Sequence, residues 1–165
     1  MEGFLSLFTD PNRSIRVPQP EDARYLSDIY NANLDSFHGV TIPTEEWRKL
    51  LEENDPYEAH FLITEKGVPH AWLKLNGLEN PDNGYISMLA VLPEYQRRGL
   101  GTFAVRLAES FMRSGRVTQL RVYTTLDNLP ALNLYGRLGF VENARRSSIA
   151  DNGDAVLLVR LVKAL

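Results

Sequence analysis

Apolar residues near the start of the chain recur every three or four positions, which is the spacing of one helix face. The first such stretch follows Pro20 and an acidic pair, and its apolar positions are Ala23, Leu26, Tyr30, Leu34 and Phe37. A second stretch carries Trp47, Leu50 and Leu51. It follows Thr44, a residue type that commonly caps a helix N-terminus, and has acidic residues in its first turn. The pattern therefore predicts two consecutive helices.

Shorter apolar runs bounded by turn residues predict strands. Residues 14–17 form one before the first helix, and residues 60–64 and 68–78 flank a Glu-Lys-Gly turn as a hairpin. A dense turn at 80–84 then precedes an almost unbroken apolar run at 85–91. Such a run is typical of a central strand covered on both faces.

The second half of the chain continues with helices and strands in alternation. The clearest helix covers residues 99–114, with Gly115 as its stop, and a strand follows at 120–124. Asp127 or Asn128 is predicted to cap a helix that runs to residue 138, before strands at 140–147 and 155–162. The order β-α-α-β-β-β-α-β-α-β-β predicts an α/β domain around a mixed sheet.

Length and composition narrow the class of protein. The 165 residues fit one domain, spanning 1–165, and 44% hydrophobic with 24% charged residues is typical of a soluble globular protein. A net charge of −3 argues against nucleic-acid binding as the main role, and no apolar run approaches membrane-spanning length. The first ten residues lack the basic region of a signal peptide, so a cytoplasmic location is expected. The absence of cysteine excludes disulfides, thiolate metal sites and a cysteine nucleophile.

Candidate chemistry first appears between the apolar strand and the clear helix, at Gln96-Arg97-Arg98-Gly99-Leu100-Gly101-Thr102. The first N–H groups of a helix lack internal acceptors and lie at the positive end of its dipole, so they favour anions. Gly99 and Gly101 would let a ligand approach the backbone, and the two arginines add charge for a polyphosphate. A glycine turn with two solvated arginines is the alternative, which this segment alone leaves open.

Other phosphate-binding motifs do not fit this segment. It contains no GxxxxGK[ST], so it is not a P-loop. The spacing is not GxGxxG either, and the glycines do not follow the first strand, which disfavours a dinucleotide-binding fold.

Two separate blocks resemble the GNAT superfamily of N-acetyltransferases. LAVLPEYQRRGLGTFAVRLAE, residues 89–109, resembles the family's Q/R-x-x-G-x-G/A signature through Gln96, Gly99 and Gly101. DNLPALNLYGRLGFVE, residues 127–142, resembles its N-x-x-A-x-x-x-Y-x-x-x-G-F pattern. The matching positions are Asn128, Ala131, Tyr135, Gly139 and Phe140.

This resemblance implies a GNAT-like α/β fold with a mixed, mostly antiparallel sheet of about seven strands, about four flanking helices and splayed central strands. It also implies a coenzyme-binding core at about 85–142 and acetyl-CoA as co-substrate, with no metal. Backbone groups of Leu89 and Val91 would bind the pantetheine arm, and Asn128 would contact it. The pyrophosphate would lie on the loop formed by Gln96, Arg97, Arg98, Gly99, Leu100, Gly101 and Thr102.

Tyr135 would act as general acid towards the leaving thiolate, as the resemblance implies. A phenol and a thiol have ordinary pKa values within about two units of each other, so proton transfer between them is reasonable. The alternative is a helix residue whose ring fills the core.

The general base is where the sequence departs from the family, because Ser87 stands where many members carry glutamate. Asp35, Glu79 and Asp151 are the candidate carboxylates on the acceptor side. The histidines at 38, 60 and 70 are scattered along the chain, which favours neither a histidine base nor a metal site.

The acceptor is expected to be a primary amine of a small molecule or peptide N-terminus, in a site formed by the first helix and its following loop, the 79–84 turn and the last hairpin. An α-amine is favoured because it needs no strong base. A second hypothesis is an acyl-CoA-binding module without turnover. A nucleotide- or RNA-binding protein is disfavoured by charge, no membrane partner is expected, and a homodimer stays open.

Overall fold

The computed structural model describes residues 1–8 and 11–165. Residues 9 and 10, the last two of the ten N-terminal residues compared above with a signal peptide, lie outside the described residues. Its sheet has seven strands in the order β1-β2-β3-β4-β5-β7-β6. Their bounds are β1 Arg13–Arg16, β2 Glu58–Glu65, β3 Val68–Asn76, β4 Gly84–Val91, β5 Gln119–Thr125, β6 Val141–Ile149 and β7 Ala155–Ala164. β4 and β5 run parallel, and the other neighbouring pairs are antiparallel. The predicted mixed sheet is confirmed.

Six α-helices accompany the sheet in the described residues. They are α1 Glu2–Leu5, α2 Ala23–Asn31, α3 Leu34–Phe37, α4 Thr44–Glu53, α5 Leu100–Ser114 and α6 Leu129–Arg137. The prediction of one continuous first helix is wrong, because the chain leaves helical geometry at Asn33. The Asn33 side chain donates to the Ile29 carbonyl at 2.8 Å, a local bond that competes with helix continuation. Thr44 is the first helical residue rather than the N-cap, a position taken by Pro43.

The helices form two layers that cover different parts of the sheet. α5 and α6 pack on one face and share an apolar cluster with Ile86, Val122 and Val159. On the opposite face, α2 and α4 pack over Leu62 and Trp72 of the β2–β4 half. The β5, β7 and β6 half of that second face contributes no residue to the α2–α4 cluster.

The two parallel strands separate soon after they meet. β4 pairs with β5 at Gly84, Tyr85 and Ile86, yet it stays paired with β3 as far as Val91. The apolar run was predicted to be covered on both faces, and its second half is not: Ser87 is exposed and Leu89 half-buried. The physical reason is that, on its β5 side, β4 borders a cleft beyond Ile86 instead of a neighbouring strand.

Candidate active site

The backbone of β4 faces into the cleft at alternate residues. Leu92 donates its N–H to the His70 carbonyl at 2.9 Å, which directs the backbone of Leu92 and Ala90 towards β3. In an antiparallel ladder the intervening residues direct their N–H and C=O groups the other way. Leu89 and Val91 therefore present these groups towards β5, across the gap where the strands have parted. The geometry suits an extended ligand that pairs with β4 like an added strand.

One of these cleft-facing groups already has partners within the protein. The Val91 carbonyl accepts from Asn33 Nδ2 at 3.1 Å and from Gln96 Nε2 at 3.0 Å. Gln96 Nε2 also lies 3.1 Å from Asn33 Oδ1. These hydrogen bonds join the end of β4 to the α2–α3 junction, and the predicted ligand contacts at Gln96 and Val91 stay predictions.

The loop from Arg97 to the start of α5 has the geometry of an anion site. Arg97 and Gly99 adopt positive φ angles of 62° and 84°, and the first helical bond runs from the Phe103 N–H to the Gly99 carbonyl at 2.9 Å. No side chain of the described residues caps this helix. The N–H groups of the first turn are therefore available to an anion at the positive end of the helix dipole. Arg98 lies over the Tyr95 ring, at 5.3 Å from its centroid.

The two glycines of this loop have different physical roles. A Cβ added at Gly99 would meet nothing within 4 Å, so that glycine serves the positive φ angle and leaves open space outside the helix. A Cβ at Gly101 would lie 3.1 Å from a methyl of Leu134. The missing side chain of Gly101 thus lets α5 approach α6, and its expected role in admitting a ligand to the backbone stays a prediction.

Asn128 is the N-cap of α6, as the sequence predicts. Its Oδ1 accepts from the Ala131 N–H at 3.2 Å, and its Nδ2 points to the Ser36 carbonyl at 3.4 Å. The side chain thus holds the start of α6 near α3. Its predicted contact with the coenzyme arm stays a prediction.

Tyr135 lies on α6 and is 4% exposed, with its ring packed edge-on to Phe140 at 5.3 Å. It belongs to the apolar cluster that contains Ile86 and Val122, the last β4–β5 pair before the cleft. Burial raises the pKa of Tyr135 well above its ordinary value. The phenol therefore keeps its proton, but the gap to a thiol is wider than the two units assumed from ordinary values.

Ser87 does not have the surroundings of a base. Its hydroxyl donates to the Lys74 carbonyl at 3.2 Å and bonds Oδ1 of Asn76, at a bulge in the β3–β4 ladder. Asp35, Glu79 and Asp151 are exposed and lie on three separate segments. Of these, Asp151 acts at a distance on Tyr30, whose pKa is raised by burial and then by that charge.

His38 joins three segments at the end of the cleft. Its Nδ1 lies 2.8 Å from Asp154 in the β6–β7 turn, and its Nε2 lies 2.8 Å from Asp127 just before α6. Because a neutral imidazole carries one N–H, bonding two carboxylates requires the protonated ring. The Asp154 and Asp127 bonds raise the pKa of His38 accordingly. His38 is therefore a clamp between elements rather than a base.

The other two histidines lie on β2 and β3, and both contact aromatic side chains within the protein. His60 accepts from the Trp72 indole N–H at 3.3 Å, and burial lowers its pKa. His70 stacks on Tyr95 with ring centroids 3.5 Å apart.

Sequence reasoning missed the packing of the α3 turn and the polar contacts that hold it. A Cβ on Gly39 would lie 2.6 Å from the Tyr30 hydroxyl, so the glycine makes room for that group. The Asn152 N–H binds the His38 carbonyl at 3.1 Å, which adds to the clamp. Asn152 and His38 lie more than a hundred residues apart, so no local pattern could have revealed their contact.

Neither a metal cluster nor a membrane-spanning helix is found in the described part of the chain. Among residues 1–8 and 11–165, no group of three histidine, aspartate or glutamate side chains could hold a metal ion. Within the same residues, every helix is too short or too polar to cross a bilayer.

Comparison with known proteins agrees with this geometry. Residues 26–140, more than half of the chain, match the model of the acetyltransferase (GNAT) family. The N-alpha-acetyltransferase 30 of Xenopus laevis is 40% identical over 78 residues, which are 47% of this chain and 29% of that protein. The chain thus spans less than a third of that relative's length.

Two further similarities extend over most of the chain. A Bacillus subtilis protein, provisionally named ribosomal protein bS18-alanine N-acetyltransferase, is 26% identical over 140 residues, covering 81% of this chain and 87% of its own. An acetyltransferase structure from Salmonella typhimurium, solved with its cofactor acetyl-CoA, has a TM-score of 0.76 and 18% identity, covering 93% and 94% of the two chains. The fold is therefore shared along nearly the whole length.

Proposed function

Because the chain belongs to the GNAT family of acetyltransferases, we propose that it transfers an acetyl group from acetyl-CoA to a primary amine by direct attack in a ternary complex. The favoured amine is the α-amine of a peptide or protein N-terminus. The observation that carries this proposal is the parting of β4 from β5 after Ile86, beside an uncapped α5 N-terminus. Residues 1–165 act as one acyltransferase domain.

Acetyl-CoA fits the cleft through backbone groups. Leu89 and the Val91 N–H supply strand-like partners for an extended amide-bearing arm, and the first turn of α5 supplies N–H groups for a pyrophosphate. Arg97 and Arg98 are exposed beside that turn and add positive charge. Leu100 and Thr102 belong to that first turn and contribute backbone N–H groups, and Asn128 at the start of α6 would contact the coenzyme arm.

The transfer itself requires two proton movements. The amine nitrogen forms a bond to the acetyl carbonyl carbon, the carbon–sulfur bond breaks, one proton leaves the nitrogen and one reaches the thiolate. A cleft-facing N–H of β4 near Leu89 stabilises charge on the thioester oxygen. Tyr135 donates the proton to the thiolate, since its raised pKa keeps it protonated throughout the physiological range.

The absence of a glutamate at Ser87 favours a weakly basic acceptor. A lysine-like amine with a pKa near 10.4 is about 0.1% neutral at pH 7.4, whereas about a quarter of an α-amine with a pKa of 7.7–8.0 is neutral. A substantial fraction of an α-amine is therefore neutral, and able to attack, when it binds. The proton that leaves its nitrogen during the transfer goes to water. The name of the Bacillus subtilis relative, an alanine N-acetyltransferase of a ribosomal protein, supports this choice.

Thiol release from acetyl-CoA, measured with a panel of amines against pH, tests the proposal. We expect turnover with N-terminal peptides above lysine side chains, and a rising pH limb that moves with the pKa of each acceptor. A limb fixed near about pH 6–7 for every acceptor would reveal a dedicated enzyme base. Asp35, Glu79 and Asp151 would then be the residues to replace.

Ser87 also favours a second candidate, an acyl-CoA-binding module without turnover. Its hydroxyl is engaged with Lys74 and Asn76, so it supplies no base to the cleft. This candidate predicts thermal stabilisation by acetyl-CoA with no thiol release for any amine in the panel.

A further inference from the structure

The uncovered half of the sheet carries a cluster of arginine and tyrosine side chains. Register places Tyr85 of β4 opposite Arg121 of β5, and Tyr123 of β5 opposite Arg160 of β7. Arg146 of β6 lies opposite Leu158, two residues before Arg160. Since opposed residues and residues two apart share a face, all five side chains lie on one face of the sheet. We call Tyr85, Arg121, Tyr123, Arg146 and Arg160 the arginine–tyrosine face.

This face is opposite to the one that carries the coenzyme helices. The alternating residues Val122 and Val159 belong to the apolar cluster under α5 and α6. The arginine–tyrosine face is therefore turned away from the anion site at the start of α5. An acceptor approaching the cleft from this side would avoid the coenzyme.

Four side chains of the face contact each other, and the other groups that its arginines bond are uncharged. Arg121 lies over the Tyr85 ring at 5.8 Å and Arg146 over the Tyr123 ring at 5.6 Å, and the two rings are 6.2 Å apart at an angle of 12°. Arg121 also donates to the Gln119 side chain at 2.9 Å and to the Asp82 carbonyl at 3.1 Å. Arg160 bonds the Asn143 amide oxygen at 2.8 Å. Within residues 1–8 and 11–165, none of the ion pairs formed with a carboxylate involves Arg121, Arg146 or Arg160. Three positive charges thus lie on one face of the sheet in a chain whose net charge is −3.

The face borders the cleft. Tyr85 and Arg121 form the pair just before the last β4–β5 pair, and Tyr123 is the first β5 residue beyond it. From the cleft to β6 is about two and a half strand spacings, or about 12 Å, which an extended peptide spans in three to four residues. A peptide whose amine lies in the cleft can therefore place its second to fourth side chains over the three arginines.

We propose that the arginine–tyrosine face selects acceptor peptides with carboxylate side chains at the second to fourth residues. The inference rests on the proposed acetylation of an N-terminal amine and adds the acceptor's chemistry. Guanidinium groups bind carboxylates through paired N–H donors, and this charge complementarity defines the occupant. One side of each tyrosine ring is already covered by an arginine, so the face favours a peptide carboxylate over a stacked nucleobase.

The first test compares three peptides that begin with the same alanine and carry aspartate, asparagine or lysine at residues two to four. We expect kcat/KM to rank them in that order, with aspartate about tenfold above asparagine at low ionic strength. The advantage should shrink as salt is added, because exposed charges are screened. Equal rates for the aspartate and asparagine peptides would overturn the proposal.

Arg146→Gln provides the matched variant, with Arg145→Gln as its control. Arg145 is the adjacent residue on the opposite face of β6 and is paired with Glu142. We expect Arg146→Gln to raise KM for the aspartate peptide about three- to tenfold while the asparagine peptide and acetyl-CoA keep their KM. Arg145→Gln should behave as the parent protein. If both variants raise KM for the aspartate peptide equally, the effect comes from the net charge of the protein and not from the arginine–tyrosine face, which would overturn the proposal.

Peptide binding in the presence of coenzyme A separates this inference from the proposed function. If no amine is acetylated, the proposed function fails, and fluorescence anisotropy with the same labelled peptides decides the inference. Aspartate-dependent binding that Arg146→Gln weakens would support it. A short single-stranded RNA that binds more tightly than the aspartate peptide, and is lost with Arg146→Gln, would overturn it in favour of a nucleic-acid surface.

Discussion

The coenzyme side and the acceptor side of the cleft are built from different parts of the polypeptide. On the proposed coenzyme side, backbone groups of β4 and of the Arg97–Thr102 loop would do the binding, within one continuous stretch of chain. On the acceptor side, side chains from α3, β5, β6 and the β6–β7 turn meet across long sequence separations. A site that binds its ligand through backbone groups needs a loop of a certain length and glycine at fixed positions. A site that binds through side chains can use many residue types.

The largest effect should come from placing a negative charge in the space outside Gly99. Gly99→Asp and Gly99→Asn share the strain of the positive φ angle, and the open space accepts either side chain. Either residue can also cap α5. Only aspartate repels a pyrophosphate, so we expect its Kd for acetyl-CoA to exceed that of the asparagine variant by about thirtyfold, or about 2 kcal/mol. Calorimetric titration measures the difference.

Thermal melting without ligand is the control for that comparison. Both variants should melt within about 2 °C of each other, because an N-cap aspartate and asparagine stabilise a helix similarly. If the two variants bind acetyl-CoA with equal affinity, the pyrophosphate lies elsewhere. The proposal that backbone groups of this loop bind the coenzyme would then be wrong.

Tyr135→Phe should have the next largest effect, and it tests whether a side chain also acts on the coenzyme side. The substitution keeps the ring against Phe140 and removes the hydroxyl. General acid catalysis typically contributes about 10²–10⁴-fold, and the raised pKa of Tyr135 makes it a weaker acid, so we expect at least about a tenfold fall in kcat. Steady-state kinetics at saturating acetyl-CoA measures it.

The exposed Tyr57 provides the control for loss of a phenol. Tyr57→Phe should leave kcat unchanged, and Tyr135→Phe should melt within about 2 °C of the parent. A fully active Tyr135→Phe variant would show that this ring contributes packing alone.

The difference between features built from one stretch of chain and features built from distant residues also explains what the sequence could predict. The seven strands, the α5 and α6 helices and the Asn128 cap follow from local patterns of apolar, glycine and capping residues. The engaged Ser87 hydroxyl could not be predicted, because its partners on β3 are brought close by folding. The packing role of Gly101 could not be predicted for the same reason: its neighbour, Leu134, comes from another helix. The break at Asn33 rests on a local bond to Ile29, which the spacing of apolar residues does not reveal.

The acceptor side was the least predictable part, because none of its arginines stands in a distinctive local sequence pattern. Arg121 and Arg160 alternate with apolar neighbours, as exposed strand residues do, and Arg146 lies between Arg145 and Ser147. Their common face depends on a sheet order in which β7 lies between β5 and β6. That order is a property of the tertiary structure, and no spacing within the chain encodes it locally.

The His38 clamp should give the smallest effect, with a characteristic dependence on pH. Its pKa is raised by Asp154 and Asp127, so its contribution to stability is complete below the unfolded value near 6.5 and is lost as pH rises through the folded value. The pKa values of Asp127 and Asp154 are lowered, so their contribution is lost as pH falls through those values. The clamp is therefore strongest in mildly acidic solution.

His38→Gln should lower the Tm by about 1–4 °C at pH near 6, and the difference should shrink towards alkaline pH. His60→Gln is the matched contrast, since burial lowers the pKa of His60 and its contribution is instead lost as pH falls. Thermal melts of both variants across pH should therefore diverge in opposite directions. Parallel pH profiles would mean that His38 does not bridge the two carboxylates in solution. The β6–β7 turn would then keep its Asn152 N–H bond to the His38 carbonyl but lose the link through Asp154, and the proposed acceptor side would be held less firmly.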